Sequence, residues 1–381
     1  MNPGITKYLQ HYGHADMDAV RSVTGNYSHC VVIPMFDEPQ DCLVRIFNRL
    51  DGIPKDVLVI AVVNAPDSAE AGALKRTQTL LSAIQNQPQV LALDYCQAGR
   101  IPHKEGVGLA RKIGTDTALA LYQVGSISNP CLFQTDADAQ LPTNYFDARP
   151  EQGQRQEKGA MVFAHQHQAP AQCPSLAQAA GLYDQHMRYY TDGLAKAGSP
   201  YAYPTLGSTL AIHADSYAQV RGYPRRNAGE DFYLLNKVAK VGGVTYQPDV
   251  VLTLDARLSK RVPFGTGPAL GKIVQQLQAD PSGYRYLSYH PNSFALLSTA
   301  LNYLDTLAHD RGATTCPDQA VEHILHGLNV QRVRNILHTK YPDLKQRQTV
   351  LTHWFDAFRT LRFVHEARHF FPDQPLLESL S

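Results

Sequence analysis

The chain has 381 residues, of which 44% are hydrophobic and 18% are charged. It is long enough for roughly two domains and can bury a full core, which excludes a disordered chain. Lys and Arg number 35 against 34 Asp and Glu, a balance that argues against a general affinity for nucleic acid. The longest apolar runs, such as residues 57–63, fall short of the ~20 residues that cross a bilayer, so we expect no transmembrane segment.

The N-terminus and the cysteines indicate where such a chain resides. No charged stretch followed by an apolar one opens the sequence, so we expect no signal peptide. Six cysteines are scattered along the chain without a C-x-x-C pair, and several lie in apolar runs. This pattern is typical of reduced thiols in a core. We therefore expect a globular protein of the cytoplasm, either free or at a membrane surface.

The first half of the chain predicts alternating strands and helices. Residues 1–28 show no clear hydrophobic period and are predicted to form an N-terminal arm. Strands are then predicted over residues 30–36, 57–64, 90–93 and 131–135, and helices over residues 43–50, 68–84 and 106–121, with Ser68 as an N-cap. Near-continuously apolar strands that alternate with helices indicate a mostly parallel sheet flanked by helices.

The second half is less regular and ends in helices. Strands are predicted over residues 160–167, 206–213 and 244–254, and helices over residues 176–194 and 230–241. Beyond about residue 271 the pattern becomes helical only, and a stripe of large apolar side chains predicts one helix over residues 351–361. We therefore expect an α/β domain over residues 29–270 and a C-terminal helical appendage over residues 271–381.

Polar side chains follow three predicted strands at the point where each ends. They are Asp37 and Glu38, Asn64 and Asp67, and Asp136 and Asp138. In a parallel sheet these ends lie at one edge, where ligands bind. Two carboxylates spaced as in Asp136-Ala137-Asp138 can hold Mg²⁺ or Mn²⁺. The spacing by itself fits a solvated loop equally well.

Two other charged stretches each have a structural and a functional interpretation. Glu230 and Asp231 begin a predicted helix, where the helix dipole favours acids. A carboxylate at that place could also serve as a general base that faces a cleft. Arg257 and Arg261 precede a glycine-containing turn at residues 262–267. That combination suits a pyrophosphate, and an exposed turn with solvated charges explains it as well.

The segment that begins Gly106-Val107-Gly108 is similar to the start of a dinucleotide-binding fingerprint. It lacks the third glycine, and it follows the third predicted strand rather than the first. We reject that interpretation. Arg111, in the same predicted helix, remains a candidate contact to a phosphate or a base.

Taken in order, these segments resemble family-2 glycosyltransferases of the GT-A fold over residues 29–267. Residues 31–38 (VVIPMFDE) resemble their first strand, residues 106–114 the helix after the third strand, Asp136-Ala137-Asp138 their D-x-D motif, Gly207-Ser208 with residues 217–224 their acceptor loop, and Gly229-Glu230-Asp231 their E-D motif. The resemblance implies a GT-A-type nucleotide-diphospho-sugar transferase fold with a helical region beyond it.

The activity that the resemblance implies is a metal-dependent hexosyl transfer. The donor is a nucleoside-diphosphate sugar, and the acceptor is a hydroxyl of a glycan, a lipid-linked compound or a small molecule. Inversion at the anomeric carbon follows from the family match alone. The chain has no Q-x-x-R-W motif, which marks the processive members, so we expect the transfer of a single sugar.

The resemblance also implies roles for individual residues. Asp138 and Asp136 would bind the metal, Mn²⁺ or Mg²⁺, and Asp231 would act as the general base with Glu230 beside it. Gly207 and Ser208 would contact the acceptor. The residues that would contact the nucleotide sugar are Pro34, Phe36, Glu38, Asn64, Arg111, Asp136, Arg257 and Arg261. After the second strand the family usually has a D-D-G-S-like turn, and Asn64-Ala65-Pro66 stands there instead. Asn64 would then contact the base through its amide.

Two alternative functions remain at this point. A sugar-nucleotide pyrophosphorylase shares the α/β layout but needs a glycine-rich, basic loop after the first strand, where residues 37–40 read DEPQ. A non-catalytic nucleotide-sugar-binding protein of the same fold would bind the donor without turnover. The intact Glu230-Asp231 pair argues against that second alternative.

Overall fold

The computed structural model describes residues 2–97, 99–150, 158–259 and 265–380. In these ranges one eight-stranded sheet has the strand order β3-β2-β1-β4-β7-β6-β8-β5. Its strands are β1 (His29–Met35), β2 (Val57–Asn64), β3 (Val90–Tyr95), β4 (Cys131–Gln134), β5 (Ala139–Gln140), β6 (Ala160–Gln168), β7 (Leu210–His213) and β8 (Val244–Asp255). Strands β3, β2, β1 and β4 run parallel to one another, as do β6 and β8, whereas β7 is antiparallel to both neighbours and β5 to β8.

Helices flank the sheet and make up most of the C-terminal region. They are α1 (Pro3–His11), α2 (Met17–Ser22), α3 (Cys42–Ile46), α4 (Ala71–Ile84), α5 (Gly106–Val124), α6 (Pro174–Lys196), α7 (Ala214–Gln219), α8 (Glu230–Val241), α9 (Thr266–Ala279), α10 (Pro291–His309), α11 (Gln319–Gly327), α12 (Val330–Lys340), α13 (Leu344–Trp354), α14 (Ala357–Glu366) and α15 (Leu376–Ser379). Two short strands, β9 (Leu287–Ser288) and β10 (Gln374–Pro375), pair with each other. The predicted α/β fold with a mostly parallel sheet is confirmed.

Of the six predicted helices, α8 has the predicted bounds, α5 and α6 are longer by two or three residues at one or both ends, and the other three differ more. The helix expected over residues 43–50 is divided into α3 and a 3-10 turn at Asn48–Leu50. The helix expected from Ser68 begins at Ala71 without a side-chain capping bond. The stripe over residues 351–361 belongs to two helices, α13 and α14. The chain breaks there because the Asp356 carboxylate accepts a hydrogen bond from the Arg359 N–H and so begins a new helix.

The chain divides into two compact units. One comprises Met1–Ala177 and Pro204–Ala269, and the other comprises Gln178–Tyr203 and Leu270–Ser381. The second unit has its own core, in which Leu297, Ala300 and Phe363 are completely buried. Among the described residues, none of the helices combines the length and the apolar composition that crossing a bilayer requires.

The sheet of the first unit is buried on both faces. All eight residues of β2 are buried, which explains why its sequence is apolar without alternation. Helix α5 covers one face so closely that a Cβ on Gly114 would lie 2.4 Å from Cγ1 of Val32 and 2.7 Å from Cγ2 of Val62. A glycine is therefore required where this helix crosses β1 and β2.

The N-terminal residues are attached to α5 by a buried polar network. The hydroxyl of Tyr8 in α1 donates to Oδ1 of Asp116 at 2.6 Å, and the hydroxyl of Tyr217 donates to the same oxygen at 2.8 Å. The ammonium group of Lys112 lies 3.1 Å from the other oxygen, Oδ2. Asp116 is fully buried, and such a carboxylate persists only when it is paired and hydrogen-bonded.

We predict that Gly114→Ala destabilises the first unit by about 1–3 kcal/mol, because the added methyl group overpacks the contact between α5 and the sheet. Urea denaturation followed by circular dichroism measures this change. Gly72→Ala, within α4 of the same unit, is the matched control, since the nearest atom to its added Cβ is Nη1 of Arg76 at 3.5 Å, an ordinary van der Waals contact. The control should be neutral or stabilising by up to about 1 kcal/mol. Equal stability of the two variants would contradict the prediction.

Candidate functional site

Charged side chains from four segments of the first unit lie together. These segments are the residues after β1 (Glu38), the turn between β4 and β5 (Asp136 and Asp138), the start of α8 (Glu230) and the residues after β8 (Arg257). The first and second segments are carboxyl ends of parallel strands, as the sequence predicts. The start of α8 lies there because its Glu230 pairs with Arg111 of α5. The residues after β8 lie there because β8 pairs with β5, with Ala139 opposite Leu254.

Arg257 forms an ion-paired group with Glu38 and Asp138. Its Nη1 atom lies 2.7 Å from Oε2 of Glu38, and its Nη2 atom lies 2.9 Å from Oε1 of Glu38 and 2.9 Å from Oδ2 of Asp138. The Glu38 side chain is 5% exposed and that of Asp138 is 20% exposed. Burial alone would lower the pKa of Arg257, but these carboxylates raise it above its ordinary value. The guanidinium is therefore charged at any working pH.

Arg111 forms a second ion-paired group with Asp136 and Glu230. Its Nη2 atom donates to Oδ1 of Asp136 at 2.6 Å, and its Nε atom donates to Oε1 of Glu230 at 3.0 Å. The Arg111 side chain is only 3% exposed. Burial alone would lower the pKa of Arg111, and the two carboxylates more than compensate. A buried guanidinium thus joins the turn after β4 to the start of α8.

Asp231 lies next to this second group and has a strongly altered acidity. Burial, followed by the neighbouring charge of Glu230, raises the pKa of Asp231 to about 7. The N–H of Phe232, which donates to Oδ1 of Asp231 at 2.7 Å, and the charge of Arg111 act in the opposite direction. At neutral pH the carboxyl group is therefore close to half ionised.

Asp138 has a similar but smaller shift. Burial raises the pKa of Asp138 to about 6; the charge of Arg257 counteracts the increase, and the neighbouring Asp136, Glu38 and Asp255 add to it. Like charges this close disfavour ionisation of one another. Among the described residues, the site holds more carboxyl groups than guanidinium groups.

The donor set of the site fits a hard divalent cation. Across the two groups, five carboxyl groups face two guanidinium groups: Glu38, Asp136, Asp138, Glu230 and Asp231 against Arg111 and Arg257. Carboxylate oxygens are the ligands that Mg²⁺ and Mn²⁺ prefer. Burial is the main cause of the raised pKa of Asp138, and a divalent ion would offset the smaller contribution that repulsion from Asp136, Glu38 and Asp255 makes to it.

Gly207, the first of the two predicted acceptor residues, lies against the buried arginine. A Cβ on Gly207 would lie 2.6 Å from Nη2 of Arg111, so only glycine lets the chain pass the guanidinium at this distance. Ser208 is 5% exposed. Nη1 of Arg111 is buried without a hydrogen-bond partner in the described part of the chain.

The predicted nucleotide contacts lie at the ends of β1 and β2. Pro34 is within β1 and Phe36 follows it, and both side chains are half-buried. Asn64 ends β2, is 7% exposed, and its Oδ1 has no hydrogen-bond partner within the ranges that the structure describes. A buried acceptor left unpaired costs about 1–3 kcal/mol, which favours a ligand that supplies a donor. Arg261 lies outside the described residues.

The sequence interpretation missed one acidic residue of the site. The N–H of Asp255 donates to the carbonyl oxygen of Asp138 at 2.9 Å, and its carboxylate pairs with Arg45 of α3. Asp255 ends an apolar strand, the same pattern that indicates Asp136 as a site residue. The sequence does not reveal that β8 pairs with β5, which is what brings Asp255 to Asp138.

Comparisons with known proteins concern the fold. No family model matches the chain, and no match to it was found among curated proteins. GalNAc-T7 with UDP, GalNAc and Mn²⁺ is 14% identical, over 75% of this chain and 59% of its own length, with a TM-score of 0.37. Mannosyltransferase PcManGT from Pyrobaculum calidifontis with GDP-Man and Mn²⁺ is 14% identical over 97% and 96%, with the same TM-score of 0.37. S. aureus TarS 1–349 with UDP-GlcNAc is 12% identical over 90% and 92%, also with a TM-score of 0.37.

The chain thus spans less than two thirds of the length of GalNAc-T7 and nearly the whole length of the other two proteins. At TM-scores of this size, a functional inference has to come from the residues of this chain.

We predict that Arg111→Met destabilises the first unit by about 3–5 kcal/mol, because it leaves the buried Glu230 carboxylate without its counter-ion. Chemical denaturation measures the loss. Arg76→Met is the matched control: Arg76 pairs with Asp37, but its side chain is 63% exposed, so it should cost less than about 1 kcal/mol. Similar costs for the two variants would show that Arg111 is not the central ion pair.

We predict that Asp231→Asn is more stable than the wild type at pH 8 and loses most of that advantage at pH 5. The pKa of Asp231 is raised in the folded state, so the folded protein holds a proton that the unfolded chain releases between about pH 4 and 7. Wild-type stability therefore falls as the pH rises through this window, and asparagine removes the effect.

The difference between the two pH values should be about 1 kcal/mol or more, measured by urea denaturation. Asp280→Asn is a pH-independent control over this range. The pKa of Asp280 is lowered because the Ser282 hydroxyl and the Arg285 N–H donate to it, so this carboxyl group is ionised in both the folded and the unfolded protein above pH 5, and the effect of that variant on stability should be the same at pH 5 and pH 8. A pH-independent effect of Asp231→Asn would contradict the assigned pKa.

Proposed function

We propose that this protein is a metal-dependent glycosyltransferase that moves one sugar from a nucleoside-diphosphate sugar to a hydroxyl acceptor, with inversion and without processive elongation. The observation that carries the proposal is the Arg111 bridge. It joins the Asp136-Ala137-Asp138 turn, which suits a metal, to the Glu230-Asp231 pair, which contains an acid with a pKa of about 7. A pyrophosphorylase has no need of such an acid. A cytoplasmic location stays part of the proposal.

Asp138 and Asp136 would hold Mn²⁺ or Mg²⁺, with Glu38 beside them. A bound divalent ion would neutralise charge that develops on the leaving diphosphate. Each aspartate has one oxygen paired with an arginine: Asp136 with Arg111 and Asp138 with Arg257. Because the Arg111 side chain is 3% exposed and that of Arg257 is 37% exposed, Asp138 has the partner that can move away, and it is the principal ligand in this proposal.

Asp231 is the proposed general base. Its carboxylate takes the proton of the acceptor hydroxyl while the hydroxyl oxygen bonds to the anomeric carbon and the bond from that carbon to the diphosphate oxygen breaks. A base works best with a pKa near the working pH, and a pKa of about 7 meets this requirement. Glu230 is held by Arg111 and is not available as a base. Its charge instead raises the pKa of Asp231.

The remaining residues would bind the donor and the acceptor. Asn64 would accept a hydrogen bond from the base through its unpaired Oδ1, while Pro34 and Phe36 line the same side. Arg257 and Arg261 would contact the diphosphate, where charge-assisted hydrogen bonds are strongest. Gly207, beside Arg111, and the next residue, Ser208, would face the acceptor.

We predict that Asp138→Asn and Asp231→Asn separate binding from turnover. Calorimetric titration with UDP, GDP and dTDP, each with and without Mn²⁺, should reveal one nucleotide that needs the metal. Asp138→Asn should weaken that binding at least about tenfold, as losses at metal sites do. Asp231→Asn should leave binding intact and reduce the release of nucleoside diphosphate from the matching sugar nucleotide about 10²–10⁴-fold.

Asp18→Asn is the matched control, because Asp16-Met17-Asp18 has the same D-x-D spacing and the Asp18 side chain is 92% exposed. It should change neither quantity. Equal losses of binding in Asp138→Asn and Asp231→Asn would contradict the division of roles. Metal-dependent binding without turnover of any sugar nucleotide would support the non-catalytic alternative, and no binding at all would overturn the proposed function.

A further inference from the structure

Arg257 occupies the carboxylates that the proposed function assigns to the metal. Its guanidinium contacts both oxygens of Glu38, at 2.7 and 2.9 Å, and Oδ2 of Asp138 at 2.9 Å. Of these oxygens, Oδ2 of Asp138 belongs to the carboxylate that the proposed function assigns to the metal. The guanidinium and a metal ion compete for this carboxylate, because both are cations that are attracted to the same charge and repel each other at this distance.

We propose that Arg257 is an internal counter-ion that competes with the metal, so that the divalent ion binds well only together with the nucleotide diphosphate. The inference rests on the proposed function in one respect, the role of Asp138 as a metal ligand. When the metal takes Asp138, Arg257 needs another anion, and the diphosphate supplies it. The same arginine therefore excludes the metal from the free protein and holds the donor in the complex.

The burial of the partners explains why Arg257 stays in place without a ligand. Glu38 is 5% exposed, and a buried carboxylate is strongly disfavoured when it loses a counter-ion. The Arg257 side chain itself is 37% exposed, so part of it is accessible to solvent. Its backbone follows Ala256, whose N–H donates to the carbonyl oxygen of Gln168 at 2.8 Å. The side chain can thus change partners while the preceding strand stays paired.

Arg111 provides the contrast within the same site. Its side chain is 3% exposed and bridges two carboxylates from different elements, so it is a permanent part of the structure. Arg257 instead lies at the exposed side of the cluster. The two arginines therefore have different roles, although each pairs with one aspartate of the same D-x-D turn.

Competition of this kind has a thermodynamic signature. If the nucleotide removes Arg257 from the carboxylates, it increases the affinity for the metal, and the metal must increase the affinity for the nucleotide by the same factor. Removal of the guanidinium should weaken this coupling and leave only the direct attraction between the ion and the diphosphate. It should also improve the binding of the metal alone, because nothing then has to be displaced.

The experiment is a titration of Mn²⁺ into the full-length protein, with free Mn²⁺ measured by electron paramagnetic resonance, without nucleotide and with UDP or GDP. Without nucleotide, Arg257→Gln should bind Mn²⁺ at least about tenfold more tightly than the wild type, since close charge pairs couple with at least this strength. With nucleotide, and after correction for Mn²⁺ bound by the free nucleotide, Mn²⁺ affinity should increase about tenfold or more in the wild type and by a clearly smaller factor in the variant. Arg257→Lys, which keeps the charge but cannot form the two-pronged contact, should be intermediate.

Arg368→Gln is the matched control. Arg368 pairs with Asp373 in the second unit at nearly the same exposure, 36% and 25% against 37% and 20% for Arg257 and Asp138. It should behave as the wild type does and so excludes a general effect of lost positive charge. If Arg257→Gln does not fold, the comparison of Arg257→Lys with the wild type decides.

Two results would overturn the inference and are distinguishable. Unchanged Mn²⁺ affinity in both Arg257 variants, with nucleotide-dependent binding intact in the wild type, would overturn it and leave the proposed function in place. No Mn²⁺ binding to any of the proteins, with or without nucleotide, would overturn the proposed metal site and the inference together.

Discussion

The buried Arg111 guanidinium is the interaction on which the site depends. It holds Asp136, from the turn after β4, and Glu230, from the start of α8, although these residues are far apart in the chain. Gly207 passes so close to it that any side chain there would collide. Because a buried cation must keep its partners, three separate segments of the first unit are fixed relative to one another by one side chain.

The position of Arg111 depends in turn on how α5 is held. Gly114 lets this helix lie directly on β1 and β2, and the next residue after Arg111, Lys112, belongs to the buried network of Asp116, Tyr8 and Tyr217. The N-terminal helix α1 therefore supports the site indirectly, because its Tyr8 is hydrogen-bonded to Asp116 and not to the two carboxylates that pair with Arg111. Close packing on one face of α5 and buried polar pairing on another leave Arg111 little freedom.

The charges that surround this bridge divide the site into two parts. Near Arg257, carboxyl groups crowd together and the pKa of Asp138 is raised to about 6; near Glu230, burial and like charge raise the pKa of Asp231 to about 7. The first part suits a cation, and the second suits the transfer of a proton. An excess of carboxylates over arginines thus supplies both properties, because each unbalanced negative charge either attracts a metal ion or retains a proton.

The sequence alone determined the parallel strands of the sheet, because β1 and β2 are buried on both faces and are therefore continuous apolar runs in the sequence. It also located the charged residues at the ends of those strands. It could not show that β7 runs antiparallel, that β8 pairs with β5 and brings Asp255 to Asp138, or that the 351–361 stripe is broken by the Asp356 cap. Those features depend on partners distant in the chain or on a local competition between hydrogen bonds. For the same reason, the sequence identified Arg111 and Arg257 as candidate ligand contacts, whereas only the tertiary structure decided which carboxylates each arginine pairs with and how deeply each is buried.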